Sequence, residues 1–327
     1  MFPTKILLAT DGSAGAEQAA WMAKTVSEKL DSELHVVYVA PMPDPGAWPE
    51  ATLYDRNLLL QTRERAESEG REVLDRERYK LGAMGVEIAD SHLRVGRPDS
   101  EIVRLAEQLG SGLVIAGSRG LGPVRRAVMG SVSGSALRHA HCPVMVVRGK
   151  TGDEDAAVGP IVLAVDGSEE AKQATKAAAE LSGGTGSEVH LVSVLPEPES
   201  MYGPHFYSTD VEERLLERVD AESRAFLDKQ AEAVRSGGGS PAQTYLAKGQ
   251  PDAEIVKLAE EIGAGLIVMG SRGLGGVRRA LMGSVSDSVV RHAHCPVLVV
   301  RGSKDRDTKG GPGAEKRAGA RAPGVEA

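Results

Sequence analysis

Cysteine is almost missing from this chain: its 327 residues include two, Cys142 and Cys295. Two thiols make no disulfide framework, and such sparing use fits a reducing compartment. Aromatic residues amount to 3%, so any core has to be built from Val, Ile, Leu and Ala. There is no basic excess either. A net charge of −7 speaks against nucleic acid as a partner, because that affinity rests on neutralising phosphates with a basic face. No apolar run approaches the ~18 residues of a membrane span. The start, MFPTKILLATDGS, enters a strand at once and lacks a signal-peptide layout. The expectation is a cytoplasmic protein that meets neither membrane nor nucleic acid. Its 41% hydrophobic content and its length suit about two domains with real cores.

What the chain does have is one pattern written twice. Residues 117–149 read GSRGLGPVRRAVMGSVSGSALRHAHCPVMVVRG, and residues 270–302 read GSRGLGGVRRALMGSVSDSVVRHAHCPVLVVRG, identical at 27 of 33 positions. Around it, each half alternates short apolar strands with helices. In the first half, KILLAT (5–10) is a strand, and alanines at helical spacing mark a helix over Ser13–Leu30. ELHVVYVA is the second strand, and the prolines of PMPDPGAWPE keep the next stretch irregular. A long charged helix is expected over 52–84, then a third strand over Val86–Val95. Gly96-Arg97-Pro98-Asp99 opens an amphipathic helix. GLVIAG is the fourth strand, Ser131–Ala140 a helix, and PVMVV the last strand.

The second half repeats every element, from IVLAVDGS (161–168) through EVHLVSV and a helix over 210–236 to PVLVV. Two domains, 1–149 and 159–302, are therefore expected, joined by a polar linker over 150–158. Residues 303–327 have almost no core residues and are expected to form a disordered tail. Strands apolar on both sides and alternating with helices imply α/β architecture, with two tandem doubly wound five-stranded parallel sheets. Ligands of such sheets sit outside the carboxyl ends of the strands, where strand order reverses.

Both suggestive loops lie at such ends. Gly117 and Gly120 would let backbone approach an anion or take up positive φ. Nine residues later Gly130-Ser131 opens a helix whose N–H groups and dipole favour phosphate, with the Ser131 and Ser133 hydroxyls as further donors. Gly270, Gly273, Gly283, Ser284 and Ser286 repeat this chemistry. Asp11 and Asp166 follow the first strand of each half, where a carboxylate can meet a ribose or an adenine edge, or simply cap a helix. There is no Walker lysine, and G-x-x-G-x-G after strand four is not the dinucleotide fingerprint. Arg119, Arg125 and Arg126, with Arg272, Arg278 and Arg279, either clamp outer phosphates or stay solvated. The twin RHAHCP segments lack the further ligands a metal would need, so no metal site is expected. No catalytic constellation can be assembled either.

These residues resemble the universal stress protein family in its tandem, ATP-binding form. The mark of that branch, G-x2-G-x9-G-[ST], stands as Gly117, Gly120, Gly130-Ser131 and again as Gly270, Gly273, Gly283-Ser284. The resemblance covers residues 3–148 and 159–301. It implies a Rossmann-like fold of the adenine nucleotide alpha hydrolase type and ATP, with Mg, in each half. Adenine would lie near Asp11 and Val39, and ribose near Ala9, Asp11 and Gly117. The phosphates would meet Ala116, Gly117, Gly120, Gly130, Ser131 and Val132. The second site would use Ala164, Asp166, Val194, Met269, Gly270, Gly273, Gly283, Ser284 and Val285. Ala9 and Ala164 depart from the proline frequent in ATP-binding relatives, at an apolar or backbone contact. The resemblance also implies pairing through the last strand, so that the two repeats form an intramolecular pseudo-dimer with further homodimerisation open. The implied function is a non-enzymatic stress-response module; a slow ATPase and a nucleotide-free scaffold are the alternatives.

Overall fold

The computed structural model describes residues 3–42, 56–118, 130–148, 158–195, 209–274 and 282–302. The first half runs β1 (Lys5–Thr10), α1 (Ala14–Leu30), β2 (Glu33–Pro41), α2 (Arg56–Ala83), β3 (Asp90–Gly96), α3 (Pro98–Leu109), β4 (Leu113–Gly117), α4 (Ser131–His139) and β5 (Val144–Val147). The second runs β6 (Ile161–Ala164), α5 (Glu169–Thr185), β7 (Glu188–Leu195), α6 (Thr209–Ser236), β8 (Ser240–Lys248), α7 (Pro251–Glu261), β9 (Leu266–Gly270), α8 (Ser284–His292) and β10 (Val297–Val300). None of the described helices is long and apolar enough to cross a membrane.

Local chemistry starts the elements where the pattern places them. The Ser13 hydroxyl accepts the Ala16 N–H at 3.2 Å and the Ser168 hydroxyl accepts the Ala171 N–H at 3.1 Å, so α1 and α5 are both side-chain capped. Pro98 and Pro251 occupy the first turns of α3 and α7, where a missing N–H costs nothing. One boundary differs from expectation. The third strand begins at Asp90 and not at Val86. Val86 N–H donates to Leu81 O at 2.9 Å in the exit from α2, and its side chain is buried against that helix side of the sheet. An apolar residue there fills the core without extending the ladder. The expected 52–55 start of α2, the stretch 43–50, the linker at 150–157 and the tail at 303–327 lie outside the described residues. Val158, at the end of the expected linker, is buried in the core.

Strand alternation sorts the core into two layers. Ile6, Leu8, Leu34, Val36, Leu113 and Ile115 face α1, whose Ala19, Ala20, Ala23 and Val26 are buried against them. Leu7, Ala9, Val37, Val39, Val114 and Ala116 face α3 and α4 through Ile102, Leu105, Ala106, Ala136 and Leu137. The second half is built alike. Its strands do not make a separate sheet, however. All ten lie in one sheet of order β3-β2-β1-β4-β5-β10-β9-β6-β7-β8, parallel within each half and antiparallel only between β5 and β10. Each half alone would expose a short apolar edge at β5 or β10, and mutual pairing covers both edges. Arg148 donates to the carbonyls of Arg291 and Ala293 (3.4 Å) at the end of α8. Arg301 reciprocates at the end of α4, to Leu137 (2.7 Å) and Arg138. A cation at a helix carboxyl end satisfies open carbonyls and the dipole together.

Cys142 and Cys295 are both buried and form no disulfide, and burial pushes the Cys295 thiol up to about 12. A thiolate is the reactive form. Cys295 should therefore ignore a colorimetric thiol reagent at pH 8 in the native protein and react fully only after denaturation. Rapid labelling of the native protein at Cys295 would contradict the packing described here.

Candidate functional site

In each half β1 and β4, or β6 and β9, are neighbours, while their following helices leave in opposite directions along the sheet order. This is the switch point, and the two loops of interest meet at its carboxyl end. In the second half they enclose a cavity of about 690 Å³, within the range of small-molecule sites. All nine expected residues of that half line it: Ala164, Asp166, Val194, Met269, Gly270, Gly273, Gly283, Ser284 and Val285. Val192, Ile255 and Met282 extend the apolar wall beyond those expected.

Asp166 ties the two loops together. The Ser168 N–H donates to its Oδ1 at 3.0 Å, and the Leu274 N–H donates to its Oδ2 at 3.1 Å. The turn between strand and helix needs Gly167 at φ 85°, which residues with a Cβ resist. In the first half Gly12 has φ 75°, and the Ser13 N–H donates to Asp11 Oδ1 at 3.0 Å. Ala9 and Ala116 are register partners at the ends of β1 and β4, and Val39 lies near the end of β2. Gly117 ends β4, Gly130 caps α4, and Ser131 and Val132 form its first turn. The described first-half residues thus stand at the carboxyl ends of β1, β2 and β4 and at the start of α4. Gly120 lies outside the described residues, as do Arg119, Arg125, Arg126, Arg278 and Arg279.

Three expectations are corrected. First, Gly117, Gly130, Gly270, Gly273 and Gly283 are absent from the positive-φ residues. What Gly117 supplies is close approach: a Cβ there would sit 2.6 Å from the backbone carbonyl of Gly15 at the start of α1. Second, Ser133 and Ser286 are buried and turned inward. Ser286 donates to Ser271 O at 2.9 Å and Ser133 to Gly130 O at 3.2 Å, which commits both hydroxyl protons to backbone carbonyls. Ser131 and Ser284 stay exposed at the helix starts. Third, Arg272 is not a solvated cation: its guanidinium reaches Glu170 Oε1 at 2.9 Å, with both side chains largely buried. The first half has Gly15 where the second has Glu170. Sequence reading missed Glu170, whose place two residues after the capping Ser168 signals only a helix start.

Helix ends carry the electrostatics. No side chain caps α4 or α8, whose N-caps are Gly130 and Gly283. That contrasts with the serine caps on α1 and α5. A helix start with N–H groups facing a cavity is a site for an anion.

The histidines of RHAHCP serve their helices. His139 Nδ1 meets Ser135 O at 3.0 Å, and His292 Nδ1 meets Ser288 O at 2.8 Å. Ser288 also donates to Asp252, whose carboxyl is held below the usual range chiefly by that bond. Asp252, Ser288 and His292 together are not a nucleophilic triad. The serine proton points at the carboxylate, and the imidazole is tied to a carbonyl.

Comparison with known proteins agrees with this geometry. The model of the Universal stress protein family matches residues 3–148 and 158–301. A universal stress protein of Mycobacterium tuberculosis strain H37Rv is 30% identical over 318 residues, covering 91% of this chain and 96% of that protein. A second from the same strain is 27% identical, over 91% of this chain and 97% of its own length. The crystal structure of a universal stress protein from Archaeoglobus fulgidus superposes with a TM-score of 0.65 at 24% identity, covering 92% of this chain and 99% of its own. This chain belongs to the universal stress protein family, with two family domains in tandem.

Proposed function

We propose that each repeat binds one adenine nucleotide, ATP foremost, and that the protein is a regulatory stress-response module of the cytoplasm. The observation that supports this most is the second-half cavity. Its wall is apolar on the side of Val192, Val194, Ile255 and Met269 and ends against the uncapped start of α8. A ligand with a flat apolar base and a polyanionic tail matches both ends. The Asp166 carboxylate, at the rim between them, suits a ribose hydroxyl. Both its oxygens already accept backbone N–H groups, so Mg would ride on the phosphates and water.

In this reading the module is not an enzyme, and nucleotide occupancy alters how a partner meets the loop. The β5–β10 pairing supports reading the two repeats as a pseudo-dimer; light scattering tests further homodimerisation. The direct test is calorimetric titration of the nucleotide-stripped full chain with ATP, with and without Mg. Saturation at two equivalents per chain is expected. No heat with any adenine nucleotide would overturn the proposal.

Glu170 gives a finer test. Its carboxylate holds Arg272 at the cavity wall and adds negative charge where phosphate would arrive. Glu170→Gln should tighten ATP at the second repeat by roughly 3- to 10-fold, about 1 kcal/mol. AMP should gain less, because it brings less charge.

A further inference from the structure

At the amino ends of β2 and β3, far along the sheet from the cavity, four side chains share one face. Alternation puts Glu33 and His35 of β2 on the same side, and Asp90 and His92 of β3 likewise. Register sets His35 beside Asp90 and Val37 beside His92. His35 Nδ1 lies 3.2 Å from His92 Nε2, and His92 Nε2 lies 3.7 Å from Asp90 Oδ2. Ligand atoms of His35, Asp90 and His92 all fall within 4.8 Å of one another. His35 is 7% exposed, and its Nε2 has no hydrogen-bond partner. Glu33 Oε2 stands 3.5 Å from that nitrogen without making a hydrogen bond.

A single hydrogen bond between two neutral imidazoles leaves this arrangement unsatisfied in either tautomer. If His35 Nδ1–H donates, its Nε2 is a buried bare lone pair. If His92 donates, His35 Nε2–H is a buried donor with no acceptor in line. Such a group is costly to leave without a partner. The second repeat shows the satisfied alternative at the same register. Its Glu188 and His190 match Glu33 and His35, but Gln243 and Tyr245 stand where Asp90 and His92 do. There the Tyr245 hydroxyl donates to Gln243 Oε1 at 3.1 Å and meets His190 Nδ1 at 3.2 Å.

We propose that the first repeat binds a zinc ion through His35 Nδ1, His92 Nε2 and the Asp90 carboxylate, with water as fourth ligand. A tetrahedral ion with Zn–N near ~2.05 Å separates its ligands by about 3.3 Å, close to the histidine spacing here. Both imidazoles then present lone pairs to the metal. His35 Nε2–H is left to donate to Glu33, the outer carboxylate that commonly orients a ligating histidine. The ion would pin the edge strand β3 to β2. It departs from the expectation of no metal and is independent of the nucleotide reading.

The test uses the full chain stripped of metal, titrated with Zn2+ against a chromophoric chelator and, separately, with Co2+ for its visible absorption. One zinc per chain and an intense four-coordinate cobalt band are expected. The double variant D90Q/H92Y carries the second repeat's residues and should fold, keep ATP binding and lose more than about 100-fold in zinc affinity. Glu33→Gln should lose about 10- to 100-fold, as outer-shell changes do. C142S/C295S should change nothing. Absence of zinc binding in the unaltered chain, equal affinity in D90Q/H92Y, or loss that follows the cysteines would each overturn the proposal.

Discussion

Gly273→Val is expected to halve the ATP stoichiometry of this chain, because the second repeat's affinity should fall roughly 100-fold, or about 3 kcal/mol. The reason is local. A Cβ at this position would stand 2.4 Å from Asp166 Oδ2, so the carboxylate must turn aside. The bond from Leu274 N–H to Asp166 then breaks. The glycine loop then loses its tie to the rim, where the cavity joins its apolar and anionic ends. Fold stability should hardly change, since the loop is peripheral and Leu274 is 76% exposed. Titration of the variant with ATP, alongside its thermal melt, checks both parts. Two full-affinity sites in the variant would remove Asp166 and the loop from the binding account.

Leu298→Asp is expected to cost at least about 4 kcal/mol, enough to unfold much of a typical domain's margin of stability. Leu298 is fully buried in β10, opposite Met145 of β5. A carboxylate there meets no water and no donor. Its core cluster also contains residues of both halves, Ile115 and Leu163 among them. Damage at the seam should therefore reach the first repeat as well as the second. Calorimetry should show one lowered transition for the chain, with Leu274→Asp as a neutral control. An unchanged first-repeat transition would mean that the halves are stabilised separately.

Much of this organisation is legible in the residues. KILLAT, GLVIAG and PVMVV read as strands because apolar residues occupy both faces, and the structure buries both faces. The motif spacing places a loop and a helix start at one strand end, and the nine second-site positions that the family resemblance implies line one cavity. Where the reading fell short, the missing information was spatial. Ser286 looked like a phosphate donor because hydroxyls at a helix start often are. Only its burial beside Ser271 O shows that its hydrogen bond is already made. Gly117 read as room for a ligand, yet the neighbour it makes room for is the Gly15 backbone. Arg272 read as either a phosphate clamp or a solvated charge, and its partner Glu170 is 102 residues away in the chain.

Periodicity, caps and a duplicated motif are properties of neighbours along the chain, so the composition of each repeat, its strand and helix order and its anion-friendly loops were settled at that level. Contacts between distant segments are set by how sheets pair and layers close. Tertiary structure alone decided that two five-stranded sets share one sheet through antiparallel edges. It alone brought His35 to His92 across 57 residues. Register, which no local pattern encodes, fixes both.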